Sequence, residues 1–230
     1  MTEFTNTTSP SGNPPPPERA AVIVAVPLAL VVGVFGVSFG VLASATPAFG
    51  AAAALVMSAT SFAGSAQFAA LTVMGAGGQA LPAIVAAVLL NLRYLPIGVS
   101  VAPSLRGSWL VRFLQAQLIV DESWAVSARA GGGFEIRTLV IAGSMLYLAW
   151  IVGTAIGVVT GEGLGDPRII GLDGAFPALF LALAIPQIRT RRAAIAALAG
   201  AGVALALVPV APAGVPIIAA AATASLGLRR

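Results

Sequence analysis

From Ala20 onward the chain is a succession of apolar runs separated by short polar, glycine-rich or arginine-bearing stretches. A run such as "AAVIVAVPLALVVGVFGVSFGVL" lacks the alternation of polar and apolar residues that marks the segments of about ten residues in a transmembrane barrel. A bilayer core of about 30 Å is crossed by about 20 apolar residues in a helix, and the runs have that length. The pattern predicts spans at approximately 20–43, 50–75, 80–103, 138–160, 174–188, 193–209 and 213–228, with 109–129 as an eighth segment that either crosses or lies along the interface. The expected fold is therefore all-α, a polytopic transmembrane bundle of seven to eight spans with at least one interrupted helix. Residues 20–230 form its single domain, and the proline-rich stretch 1–19, without apolar periodicity, is expected to be a disordered tail. "ASA" at Ala43–Ala45 is not read as a signal-cleavage site, because the apolar run before it exceeds an h-region of about 7–15 residues.

Composition agrees with a membrane protein: 58% of residues are hydrophobic and 9% charged, against about 25% charged in soluble domains. All cationic side chains are arginine, and the net charge of +4 bears on orientation in the bilayer rather than on nucleic acid. If 109–129 crosses, Arg19, Arg129, Arg137, Arg189, Arg191, Arg192, Arg229 and Arg230 share one side, and both termini are cytoplasmic. If it does not, the first three spans invert with almost the same arginine bias, and the C-terminus is cytoplasmic either way. Within 109–129, Arg112, Gln115, Glu122 and Arg129 fall on one helical face at about 100° per residue, and Asp121 lies off it.

The least expected apolar segment is "SATSFAGSAQF", Ser58–Phe68, with four hydroxyls, a glycine and an amide. Ser58, Ser61 and Ser65 hydroxylate one helical face and Thr72 extends it. Gln67 would point away from Ser58 if the helix ran unbroken. A break near Gly64 would free backbone groups that are tolerated at membrane depth only along a cavity or under protein. The other reading is close helix packing through Gly64, Ser61 and Ser65, with Gln67 bonded to a neighbour. "LLNLRYLP" adds Asn91 and Arg93 to an apolar span, and an intramembrane arginine needs a partner. Asp121 is the candidate, the pair serving either as a structural ion pair or as a substrate or proton site. Asp173 opens "GLDGAFPALF", where a carboxylate also suits a helix cap. "GSAQFAAL" and "GAFPALFLAL" occupy similar places in the two halves, and such paired interrupted elements point to a transporter binding site and a possible internal duplication.

Enzymatic readings find little footing. With neither cysteine nor histidine the chain offers no thiolate nucleophile, no disulfide framework, no histidine base for a serine nucleophile and no ordinary zinc site. No P-loop is present. "GLGD" at Gly163–Asp166 matches an aspartyl-protease pattern but sits in a polar loop before Pro167 without a companion Tyr-Asp motif. No cofactor or metal is expected.

The ordered blocks "SFGVLA", "MSATSFAGSAQF", "NLRYLPIGVSVAPSLRG", "VDESWA", "YLAWIVGTAIG", "GLDGAFPALF" and "PQIR" resemble the AzlC family, the large permease subunits of branched-chain amino acid exporters, from about Ala21 to the C-terminus. Tyr94 and Val120 depart from the histidine and threonine that many members carry there. The resemblance implies ion-gradient-driven export of leucine, isoleucine, valine or related amino acids across the cell membrane, with a small AzlD-like membrane subunit. On that basis Ser61, Gly64, Ser65, Gln67, Phe68, Asn91 and Arg93 are the candidate substrate-binding residues, with Phe62 beside Phe68 against the aliphatic side chain. Asp121, Glu122 and Asp173 are the candidates for ammonium binding or proton coupling. A passive pore or a non-transporting membrane scaffold is the alternative.

Overall fold

The structure, a computed structural model, describes residues 17–129, 132–161, 181, 185, 188–211 and 215–223. Among these the regular elements are helical: α1 (Pro17–Ser44), α2 (Gly50–Ser61), α3 (Gly64–Gly75), α4 (Ala80–Asn91), α5 (Tyr94–Val101) with a 3-10 turn at Ala102–Ser104, α6 (Trp109–Gln117), α7 (Asp121–Ser127), α8 (Ile136–Gly161), α9 (Arg191–Leu207) and α10 (Val215–Ala222). Two of them, α1 and α8, are individually long and apolar enough to cross a bilayer. The pair α4–α5, bent by 43° at Leu92–Arg93, makes a third if counted as one span.

α1 and α8 form the central pair, and their contact follows from glycine. A Cβ on Gly40 would stand 2.2 Å from the Thr154 carbonyl oxygen, one on Gly153 2.3 Å from that of Gly33, and one on Gly157 2.1 Å from that of Val37. Small residues four apart let two helix backbones touch, which is how helices associate where lipid is as apolar as the side chains. The pairs Gly33 with Gly153, Gly40 with Gly157 and Val41 with Gly161 advance together, so the helices run parallel. At their starts Arg137 reaches Glu18 at 3.4 Å. The end of the bundle holding these starts is called here the near end, and the end holding Ser44 and Gly161 the far end.

A parallel pair requires the intervening chain to make a net odd number of crossings, and the contacts show which segment makes it. α2 enters from the far end and stops at Ser61. α3 then brings Gly75 back beside Thr46, where a Cβ on Gly75 would lie 3.8 Å from the threonine methyl, so α2–α3 is a re-entrant hairpin. α4 leaves from the far end, and α5 delivers Ser104 to the near end, beside Gly133. α6 descends from there until Gln117 donates to the Thr60 carbonyl at 2.7 Å, at the tip of the first hairpin. α7 returns, with the Trp124 indole donating to Ser100 Oγ at 3.2 Å. The near-end turn closes when Glu135 N–H donates to the Ser127 carbonyl and Arg129 pairs with Glu135. The guanidinium's hydrogen bond holds the exposed Glu135 carboxyl below its ordinary value.

Two expected spans are thereby corrected. Residues 50–75 and 109–129 each fold back as two helices instead of running through as one span; α4–α5 carries the crossing between α1 and α8. The polar face expected over Arg112, Gln115, Glu122 and Arg129 does not form either, because the helix is interrupted at Leu118–Val120. The expected spans 193–209 and 213–228 correspond to α9 and α10 where described, with Thr190 accepting from Ala193 N–H as the N-cap of α9. The expected span 174–188 falls almost wholly outside the described residues, and a count of seven to eight spans is not reached among the described residues.

Candidate functional site

The first hairpin turns at Phe62, whose φ of 34° and ψ of 57° are left-handed. For a residue with a Cβ this costs about 1–2 kcal/mol. Burying the ring, edge-on to Tyr147 at 5.2 Å, returns an amount of the same order, about 1.5–3 kcal/mol. Ending α2 at mid-depth leaves its last carbonyls without helical partners. Tyr147 donates to Ala59 O at 2.6 Å and Gln117 to Thr60 O at 2.7 Å, so side chains from α8 and α6 satisfy them.

Below the turn lies a buried polar knot. Gln67 Nε2 donates to Ser58 Oγ at 2.9 Å, and the Trp150 indole N–H donates to the same oxygen at 3.2 Å. Both lone pairs of Ser58 are then occupied, so its own proton must go to Thr154 Oγ1, 3.0 Å away. Thr154 passes its proton to the Trp150 carbonyl at 2.8 Å. The expectation that Gln67 faces away from Ser58 held only for an unbroken helix; the hairpin brings them together. Ser58, Gln67 and Thr154 are wholly buried, and Phe68 packs edge-on against Phe39 and Trp150. Gln67 and Phe68 therefore belong to the core that supports the site, and neither lines a cavity described here.

On the near side of this knot a cavity of about 270 Å³ is bounded by both hairpin tips, the α4–α5 bend, and the α1 and α8 walls. It brings together Gly64, Ser65, Arg93, Asp121 and Glu122 from the sequence candidates, and adds Tyr94 and Trp150. Arg93 Nη2 donates to Ser65 Oγ at 2.8 Å and to Tyr94 Oη at 3.3 Å, and lies 3.0 Å from Asp121 Oδ2. One guanidinium nitrogen thus ties the α2–α3 tip to the α6–α7 tip. Arg93 Nε is buried without an acceptor among the described residues. The side chains of Arg93 and Asp121 are 35% and 37% exposed, which leaves the pair open to the cavity. Gly64 sits against Trp150, where a Cβ would come within 2.9 Å of the indole ring.

Ser61 and Asn91 lie elsewhere. They line a second cavity of about 420 Å³ between α2, α3 and α4, and Asn91 Oδ1 is buried without a hydrogen-bond partner among the described residues. Asp173 lies outside the described residues. Sequence reasoning missed the contribution of α8. Its signals were present: Gly153, Gly157 and Gly161 four apart, and the hydroxyl of Thr154 between them.

The family model described as AzlC protein matches residues 27–164, which takes in most of α1 and all of α2 through α8, with both hairpins. An uncharacterized membrane protein of Archaeoglobus fulgidus is 33% identical over 139 residues, 59% of this chain. That match spans 60% of the relative's own length. No solved structure matches the chain. With the family match extending over more than half of its residues, the chain belongs to the AzlC family.

Proposed function

We propose that this protein is a secondary transporter exporting branched-chain or related hydrophobic amino acids across the cell membrane, as the large subunit beside a small AzlD-like membrane protein. The observation that carries this reading is the meeting of Arg93, Asp121 and Glu122 in one cavity at the tips of two opposed re-entrant hairpins. A charged side chain at the bilayer centre costs about 2.5–3.5 kcal/mol on insertion scales, and such residues mark substrate and ion pathways. An α-amino acid presents a carboxylate, an ammonium and an apolar side chain, and the cavity offers a counterpart to each. Arg93 takes the carboxylate through the donors its present contacts leave over. Asp121 or Glu122 takes the ammonium or a coupling proton, and Leu28, Phe35, Leu146 and Trp150 bound the aliphatic group. The volume lies near the lower end of the roughly 300–1,000 Å³ usual for small-molecule sites, which suits a small solute.

Orientation follows from charge. Arg19, Arg106, Arg129 and Arg137 share the near end, while the far-end loops 45–49 and 76–79 carry no charge. The positive-inside rule assigns the near end to the cytoplasm. The same rule assigns the C-terminus, with Arg229 and Arg230, to that side, and the expected spans other than 50–75 and 109–129 remain crossings in this proposal.

The test is efflux of preloaded leucine, isoleucine, valine and methionine from cells lacking their own exporters, with the chain expressed alone and with a small AzlD-like membrane protein. Saturable efflux that requires both chains is the expected result. Absence of efflux for all four, with both chains verified in the membrane, overturns the proposal.

A further inference from the structure

The second cavity has no part in the site described above, yet it shares both of that site's interruptions. The α2–α3 break sends Ser65 into the first cavity and Ser61 into the second. The α4–α5 bend sends Arg93 into the first and Asn91 into the second. From these two polar residues at mid-depth the second cavity runs along Met57 and Ala83 to Ala48 and Ala80, which border the far-end loops. Its walls are otherwise apolar, and its 420 Å³ exceeds the volume of the first cavity.

We infer that this second cavity is the outward half of the transport path, a transit subsite that takes the amino acid from the Arg93 cavity and opens on the external face. The inference rests on the export reading. The two cavities are lined from opposite sides of the same two helix breaks, so in this inference a displacement of the Ser61–Ser65 turn against the Asn91–Arg93 bend transfers a solute between them. Chemistry changes along the way. The first chamber holds opposite charges that fix a zwitterion, whereas the second offers a hydroxyl and an amide. A polar chamber without charge holds the zwitterion more weakly, and release to water requires that. Asn91 lines this cavity and its Oδ1 has no hydrogen-bond donor among the described residues, so a small rotation of the amide would let it receive the substrate ammonium at the handover.

The chain has no cysteine, so it serves as its own background for accessibility mapping. Ser61→Cys, Met57→Cys and Ala83→Cys would each be expressed with the small membrane protein and treated on intact cells with a membrane-impermeant methanethiosulfonate. Leu30→Cys, on the exposed outer face of α1, serves as the lipid-facing control. Only a thiolate reacts, so a cysteine facing lipid stays unlabelled while one in a water-filled chamber does not. At least two of the three chamber variants should label from outside, and saturating internal leucine should slow labelling several-fold, while Leu30→Cys does not react. Efflux is measured on the same cells. If the chamber variants export leucine but none labels from outside, or label only in inside-out vesicles, the path inference is wrong and the export reading stands. If the cysteine-free parent moves no amino acid, the export reading itself has failed.

Discussion

At the scale of single residues the structure turns on Ser58. Its oxygen receives two N–H donors and its proton leaves for Thr154, so the hydroxyl joins the first hairpin to α8 through a fully used set of bonds. Ser58→Ala strands the Gln67 amide and the Trp150 indole in a buried setting, where an orphaned polar group costs about 1–3 kcal/mol. The variant should show a clearly lower thermal midpoint in detergent and less protein in the membrane, followed by a fluorescent fusion. Thr154→Ala strands only the Ser58 proton and should cost less. The residue types of this network were legible in the sequence and their geometry was not. Helical periodicity set Gln67 opposite Ser58 and grouped Ser61 with Ser65. The left-handed turn at Phe62 reverses both relations, and a phenylalanine gives no advance sign of a positive φ. The pairing of Arg93 with Asp121 was easier to anticipate, because a charge within an apolar span has few partners to choose from.

At the scale of elements, hydropathy measures length and apolarity but cannot register a reversal. The 26 residues at 50–75 suffice for one crossing or for two legs of 12 residues, as in α2 and α3. Hence the chain's apolar segments were located from sequence while two of their paths were misjudged. The α1–α8 contact carried a sequence signal in its glycines, and it makes a firm prediction. Gly40→Ala and Gly157→Ala place a methyl about 2 Å from a facing carbonyl oxygen, a clash that the helices relieve only by separating. Overpacking of this kind costs about 1–3 kcal/mol or more. Both variants should lose most folded protein on size-exclusion chromatography in detergent. Gly202→Ala, with nothing within 4 Å of the added carbon, should behave as the parent.

For the whole molecule the decisive relation is that α1 and α8 run parallel with one net crossing between them, which puts loops 45–49 and 76–79, neither of them charged, together at the far end and Arg106 at the arginine-rich near end. An epitope inserted at Gly77, a positive-φ turn residue with open space around it, should be detected on intact cells. One inserted at Arg106 should be detected only after permeabilisation. The reverse pattern would invert the assignment of cytoplasmic and external faces. The repeat suggested by "GSAQFAAL" and "GAFPALFLAL" has its first copy in α3, whereas the second lies almost wholly outside the described residues. The central claim concerns Arg93 as the group that receives the amino-acid carboxylate between two hairpin tips. The most direct measurement is leucine efflux from cells expressing Arg93→Ala with the small membrane protein, set against the parent at matched membrane abundance. The account predicts that the variant inserts, reaches the membrane and exports no leucine; leucine export at the parental rate from that variant would contradict it.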